Sequence, residues 1–166
     1  VAVVMNYRLS QALPYLPPSK MTARAVAVVL LSPVITGAAT SYHVDSQQGN
    51  DARSGVSTEQ AWKTLDRVNA QVFQPGDQLL FKAGARWSGQ LRPQGSGKLE
   101  GDKPVSIIIG KYGDGPDPRI DGEGNVLDTL LLRNVEFWEV SGLEITNLGT
   151  NREPWRTGVR IVTDGF

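Results

Sequence analysis

The chain has 166 residues, with 17 Lys plus Arg balanced by 17 Asp plus Glu, and no cysteine. A formal charge of zero argues against general nucleic-acid binding, which needs a basic surface to displace counterions, and the missing thiols exclude a disulfide framework or a thiolate metal site. Forty per cent hydrophobic residues suffice for one core, while 18 Gly, 10 Pro and no long 3.6-residue periodicity favour an all-β fold over a helical bundle.

Residues 1–20 contain Pro14, Pro17 and Pro18 without a period and read as an unstructured upstream segment ahead of a start at Met21. Residues 21–40 have the three parts of an export signal: Arg24 near the front, an apolar run over residues 25–35, and the small residues Gly37, Ala38 and Ala39 for cleavage. The run is too short to span a bilayer. The mature protein is therefore expected to be secreted or periplasmic, with no stable membrane insertion. A buried first strand or helix is the competing reading.

Residues 41–78 form a predicted cap. Tyr42-His43-Val44-Asp45 alternates as a strand, and residues 47–55 are dense in types that accept tight turns. Ser57 with Gln60 reads as the entry to a helix, whose apolar face is Trp62, Leu65 and Val68. Such a helix would cover the end of a stack of strands, which otherwise exposes raw edges. Asp45, Asn50 and Asp51 offer oxygen ligands for Ca²⁺, although such short side chains more commonly lock turns by accepting backbone N–H groups.

From residue 79 onward a short apolar strand recurs every 23 to 29 residues: Leu79-Leu80-Phe81, Ile107-Ile108-Ile109, Leu130-Leu131-Leu132 and Val159-Arg160-Ile161. A second series, Arg119-Ile120-Asp121 and Leu143-Glu144-Ile145, is 24 residues apart. Recurrence of this kind, interrupted by Gly, Pro, Asn and Asp, predicts stacked turns of one winding structure, a parallel β-helix over residues 79–166. Asn134 and Asn147 close two of the strands and are expected in a ladder of turn hydrogen bonds.

Several of these residues occur in a recognisable order: Tyr42-His43-Val44-Asp45, Gly49-Asn50-Asp51, Ala61-Trp62-Lys63-Thr64-Leu65, Pro75-Gly76-Asp77, Phe81-Lys82-Ala83-Gly84, Trp87, Trp138-Glu139-Val140 and Gly142-Leu143-Glu144-Ile145. Over about residues 42–166 the chain resembles the pectate-lyase-like superfamily of secreted polysaccharide lyases and hydrolases. The resemblance implies a right-handed parallel β-helix whose first turns are present here, with catalytic groups on later turns, downstream of Phe166. This segment is then expected to be truncated in mid-turn and inactive alone. The activity it implies first is cleavage of an acidic polysaccharide by elimination, a Lys or Arg taking the proton α to a carboxylate that a cation such as Ca²⁺ neutralises. A glycoside hydrolase with paired carboxylates, or a non-catalytic glycan-binding or adhesive β-helix, are the alternatives.

Lys82, Lys111 and Arg133 each follow a repeated strand, so stacking would align them as a basic column for a polyuronate; solvated strand ends are the simpler reading. Residues 151–156 lengthen one turn, and Trp155 between Arg152 and Arg156 presents an apolar face with donors, a candidate sugar contact. Asp121, Glu123, Asp128, Glu136, Glu139, Glu144 and Asp164 are expected on a solvated outer face, with Asp164 the one candidate catalytic acid. The only histidine, His43, belongs to the capping strand, which leaves no His-dependent triad in this chain.

Overall fold

The computed structural model describes residues 38–164. The expected upstream segment and nearly all of the expected export signal lie outside the described residues. So does Phe166, beyond which the resemblance places the catalytic groups. In chain order the elements are β1 (Ser41–Val44), α1 (Leu65–Asn69), β2 (Gln78–Lys82), β3 (Arg86–Ser88), β4 (Lys98–Glu100) and β5 (Lys103–Val105). They continue with β6 (Ile107–Tyr112), β7 (Arg119–Asp121), β8 (Asp128–Arg133), β9 (Trp138–Val140), β10 (Glu144–Thr146) and β11 (Thr157–Val162). The all-β expectation holds.

Three small, separate sheets are parallel throughout: β1-β2-β6-β9, β3-β7-β10 and β8-β11, while β4 and β5 form an antiparallel hairpin. The chain visits the parallel sheets in a fixed order, β6 to β7 to β8 and then β9 to β10 to β11. Side-chain alternation explains which residues face inward. Leu79 and Phe81, Ile107 and Ile109, Ile120, Leu130 and Leu132 are buried in one cluster with Trp62, Phe73 and Trp87. Each buried aliphatic side chain contributes on the order of 1.5–3 kcal/mol of apolar transfer.

Register corrects the repeat predicted from sequence. Leu79 pairs with Ile109 and Ile109 with Val140, whereas Leu130 and Leu132 pair with Val159 and Ile161 in a different sheet. The triplets around Ile108 and Leu131 are therefore neither neighbours nor one ladder; they are two strands of the same passage through the three sheets. Spacing alone could not separate them, because every core-facing strand carries the same aliphatic signature. The second series does pair in parallel, one position later than its spacing suggested: Arg119 opposes Glu144 and Ile120 opposes Ile145.

The cap also differs in detail. Ser57 makes a local turn, its Oγ accepting from the Gln60 N–H at 3.3 Å, and the helix begins at Leu65 with Thr64 as N-cap, whose Oγ1 accepts from the Arg67 N–H at 3.2 Å. Asp51 holds this cap by accepting from the N–H of Lys63 and Thr64 and from Thr64 Oγ1, at 2.7, 3.0 and 2.7 Å. Trp62 lies before the helix, fully buried, stacked on Tyr42 with ring centroids 4.9 Å apart. Gly55, at φ 82°, is required beneath it, since a Cβ there would lie 2.4 Å from the Trp62 ring. The outer edge of β1 is closed by the same segment, through His43 N–H to Gly55 O, Trp62 N–H to His43 O and Asp45 N–H to Trp62 O.

Candidate functional site

Beside the helix end the chain forms a cleft of about 560 Å³, lined by Asn69, Gln90, the segment from Arg92 to Gly95, Arg133 and Val135. The Asn69 side chain builds it, donating from Nδ2 to Gln90 O at 2.9 Å and accepting from the Arg92 N–H at 2.7 Å. Gln90 and Gln94 donate their amides to backbone carbonyls of Asp128 and Asn69, which leaves their side-chain oxygens as acceptors. Leu91 below is fully buried and bridges to β8, donating to Thr129 O and accepting from the Leu131 N–H. The alternation of Gln90, Leu91 and Arg92 thus presses one side chain into the core and turns its neighbours toward the cleft. Arg92 makes no ion pair among the described residues. The lining holds guanidinium donors, amide acceptors and the apolar Pro93 and Val135, but no carboxylate, histidine or hydroxyl. It is equipped to hold an oxygen-rich ligand, not to transfer a proton.

A second recess, about 380 Å³, is lined by Ser96, Asn134, Glu136, Thr163 and Asp164, of which Ser96 and Asn134 follow Gly95 and Arg133 of the cleft in sequence. Asn134 turns the chain at φ 55° and clasps Asp164 twice: its Oδ1 accepts from the Asp164 N–H at 2.8 Å, and its Nδ2 donates to Asp164 Oδ2 at 3.0 Å. Arg133 adds a contact at 3.5 Å. Asp164, the candidate acid nearest Phe166 in sequence, is thus tied to the preceding strand end, a bond between neighbouring passages of the chain. Glu136 shares its recess with its side chain exposed.

The basic column does not form. Lys111 is in register with Phe81, and Lys82 with Tyr112, so the two-residue period sends the lysines to opposite faces. Arg133 belongs to another sheet. Each has its own carboxylate: Lys82 with Asp45 at 2.7 Å, Lys111 with Asp117 at 2.6 Å, Arg133 with Asp164. Asp45, Asn50 and Asp51 serve three different turns. Asp45 accepts from the N–H of Gln47 and Gln48, and Asn50 from that of Ala52. No cluster of three His, Cys, Asp or Glu suited to a metal exists among the described residues.

The environment of the two turn acids is electrostatically definite. Burial pushes the Asp45 carboxyl up, but the Lys82 ammonium and the N–H groups of Gln48 and Gln47 outweigh it and hold the group below its ordinary value. Burial likewise opposes ionisation of Asp51, and the N–H of Lys63 together with Thr64 overcomes it. Asp128 departs from the expected solvated face. It is buried, accepting from Thr157 Oγ1 at 2.8 Å with Arg160 at 3.8 Å. Glu139 and Glu144 are exposed as expected.

Arg152, Trp155 and Arg156 lie together on the loop between β10 and β11, away from the cleft lining. Sequence reasoning missed Gln90, Arg92 and Gln94; the signal present was the polar–apolar alternation around Leu91 just before Pro93.

No family model matches the sequence. The chain is similar to lacto-N-biosidases. A curated lacto-N-biosidase of Bifidobacterium longum subsp. longum is 31% identical over 137 residues, covering 68% of this chain and 8% of that protein. The crystal structure of the GH136 lacto-N-biosidase from Eubacterium ramulus, native, superimposes with a TM-score of 0.60 at 30% identity, covering 68% of this chain and 21% of that one. Its selenomethionine derivative gives 0.59 at 31%. The chain thus spans a small part of the relatives it matches. These relatives are named as glycosidases, which corrects the resemblance to the pectate-lyase-like superfamily and removes the basis for elimination chemistry and for a polyuronate substrate.

Proposed function

We propose that the chain is part of an exported glycoside hydrolase, and that its cleft between Arg92 and Arg133 contacts a glycan. One observation carries the reading: similarity to lacto-N-biosidases at 30–31% identity over 68% of the chain. The cleft supports it, because guanidinium donors beside amide acceptors over an apolar floor suit a ligand whose hydroxyls both donate and accept. Hydrolysis requires two carboxylates placed on either side of a glycosidic bond, and the cleft lining has none; its role here is binding. The parallel sheets, visited in a fixed order, we read as the faces of a right-handed β-helix, the hand that parallel crossovers take. Residues 21–40 we read as the signal that carries the protein out of the cytoplasm.

The test is incubation of the whole hydrolase that carries this chain with the oligosaccharides that lacto-N-biosidases cleave. New reducing ends without ultraviolet-absorbing unsaturated products are expected. Unsaturated products, or no cleavage, would overturn the assignment. Within it, Arg92→Ala and Arg133→Ala should each weaken oligosaccharide binding by about tenfold, as expected for losing a charged hydrogen bond; unchanged affinity in both would remove the cleft from the binding surface.

A further inference from the structure

The loop between β10 and β11 is held at both feet. Asn147 Nδ2 donates to Val126 O and Thr157 O at 3.0 and 2.9 Å, and its Oδ1 accepts from the Gly124 N–H at 3.1 Å. Arg156 Nη1 ties the loop across itself to Asn151 O at 2.6 Å. On this frame Trp155 takes φ 70°, the left-handed region that a bulky side chain adopts only under strain, and 80% of its surface is exposed. The chain has four tryptophans. Trp62, Trp87 and Trp138 donate their indole N–H to the carbonyls of Arg53, Lys63 and Gly95. Trp155 makes no such bond among the described residues.

Strain persists where surrounding structure enforces it, and it clusters where ligands bind. Here it holds an apolar ring in water, where no packing repays it. Recesses of about 410 and 300 Å³ open on the same loop, and Glu153 and Arg156 line both, with Arg152 in the larger. Trp155 lines neither, so its ring stands beside them as an open face. A flat apolar face matches the C–H face of a pyranose ring. Guanidinium donors with a carboxylate acceptor match hydroxyls that both donate and accept, which favours a neutral sugar over a charged one.

We propose that this loop is a surface site for neutral oligosaccharides, with Trp155 as the stacking face, sharing no residue with the Arg92–Arg133 cleft. The choice of a sugar as occupant rests on the glycan reading above. Binding of lactose and N,N′-diacetylchitobiose to the intact protein, with glucuronic acid as the charged comparison, is followed by tryptophan fluorescence and saturation-transfer NMR. A neutral sugar should bind and perturb the exposed indole. Trp155→Gly should weaken that binding at least about tenfold while leaving the melting temperature equal or higher, because Gly accepts this backbone without strain. Trp155→Phe should keep binding within a few-fold and covers the case in which the Gly variant fails to fold. The proposal is overturned if neither neutral sugar binds, if Trp155→Gly binds equally well, or if glucuronic acid is preferred. Sugar binding at Trp155 without glycan cleavage would sink the hydrolase reading alone, whereas cleavage without such binding would sink this site alone.

Discussion

The two ends of the described strand array are built differently. At β1 the outer edge is bonded by Gly55 and Trp62, and the apolar cross-section is covered by Trp62, Leu65, Val68 and Phe73, all buried. At β9, β10 and β11 each strand is the last of its sheet. The inward rows continue there with no cover among the described residues: Val140, Val159 and Ile161 are in register with Ile109, Leu130 and Leu132, yet they are exposed while their partners are buried. Facing inward does not make a residue buried; the next layer does. The same kind of aliphatic row is therefore dry where a further layer lies on it and wet where, among the described residues, none does.

Replacing a residue of the cap should break this contrast most strongly. Trp62→Ala removes a fully buried ring stacked on Tyr42, with Arg67 4.1 Å above it and its indole N–H bonded to Arg53 O. A loss of about 3–5 kcal/mol is expected in urea unfolding. Next in size, Asp51→Ala should cost about 1–3 kcal/mol by leaving the N–H groups at the helix start without their acceptor.

Acid titration sharpens the comparison from another side. The folded-state carboxyls of Asp45 and Asp51 sit below their ordinary values. Their contribution is complete above the unfolded value of about 3.9 and is lost as pH falls through the lower folded values. Melting temperature should hold from neutrality to about pH 5 and then drop, and Asp45→Asn with Asp51→Asn should flatten the drop. A profile unchanged by both substitutions would contradict the turn assignment. Smallest in stability is Ile161→Lys, expected to shift unfolding of this 166-residue chain by no more than about 0.5 kcal/mol, because the side chain it replaces is 74% exposed. If Ile161→Lys costs as much as Trp62→Ala, the two ends are not different in the way described.

Strand positions were legible from sequence because two-residue alternation and aliphatic triplets mark a core-facing strand directly. Register was not, since Ile107–Ile109 and Leu130–Leu132 look alike although one lies in the first sheet and the other in the third. The β4–β5 hairpin was missed, even though Gly101-Asp102 between two short strands is a usable turn signal. At the candidate site, Trp155 and its arginines were visible as an unusual insertion. The cleft was hidden because Asn69, Arg92 and Arg133 come together only through folding, and the basic column failed because a one-residue shift of register reverses a side chain's face.

At Asn147 a single amide gathers four backbone groups, Gly124 N–H and the carbonyls of Val126, Leu127 and Thr157, so the scaffold is closed off before the loop departs and again where it returns. What lies between those two points can change in length or composition without a strand being disturbed. Natural variation, or a laboratory graft of a different recognition segment, would find its most permissive address there.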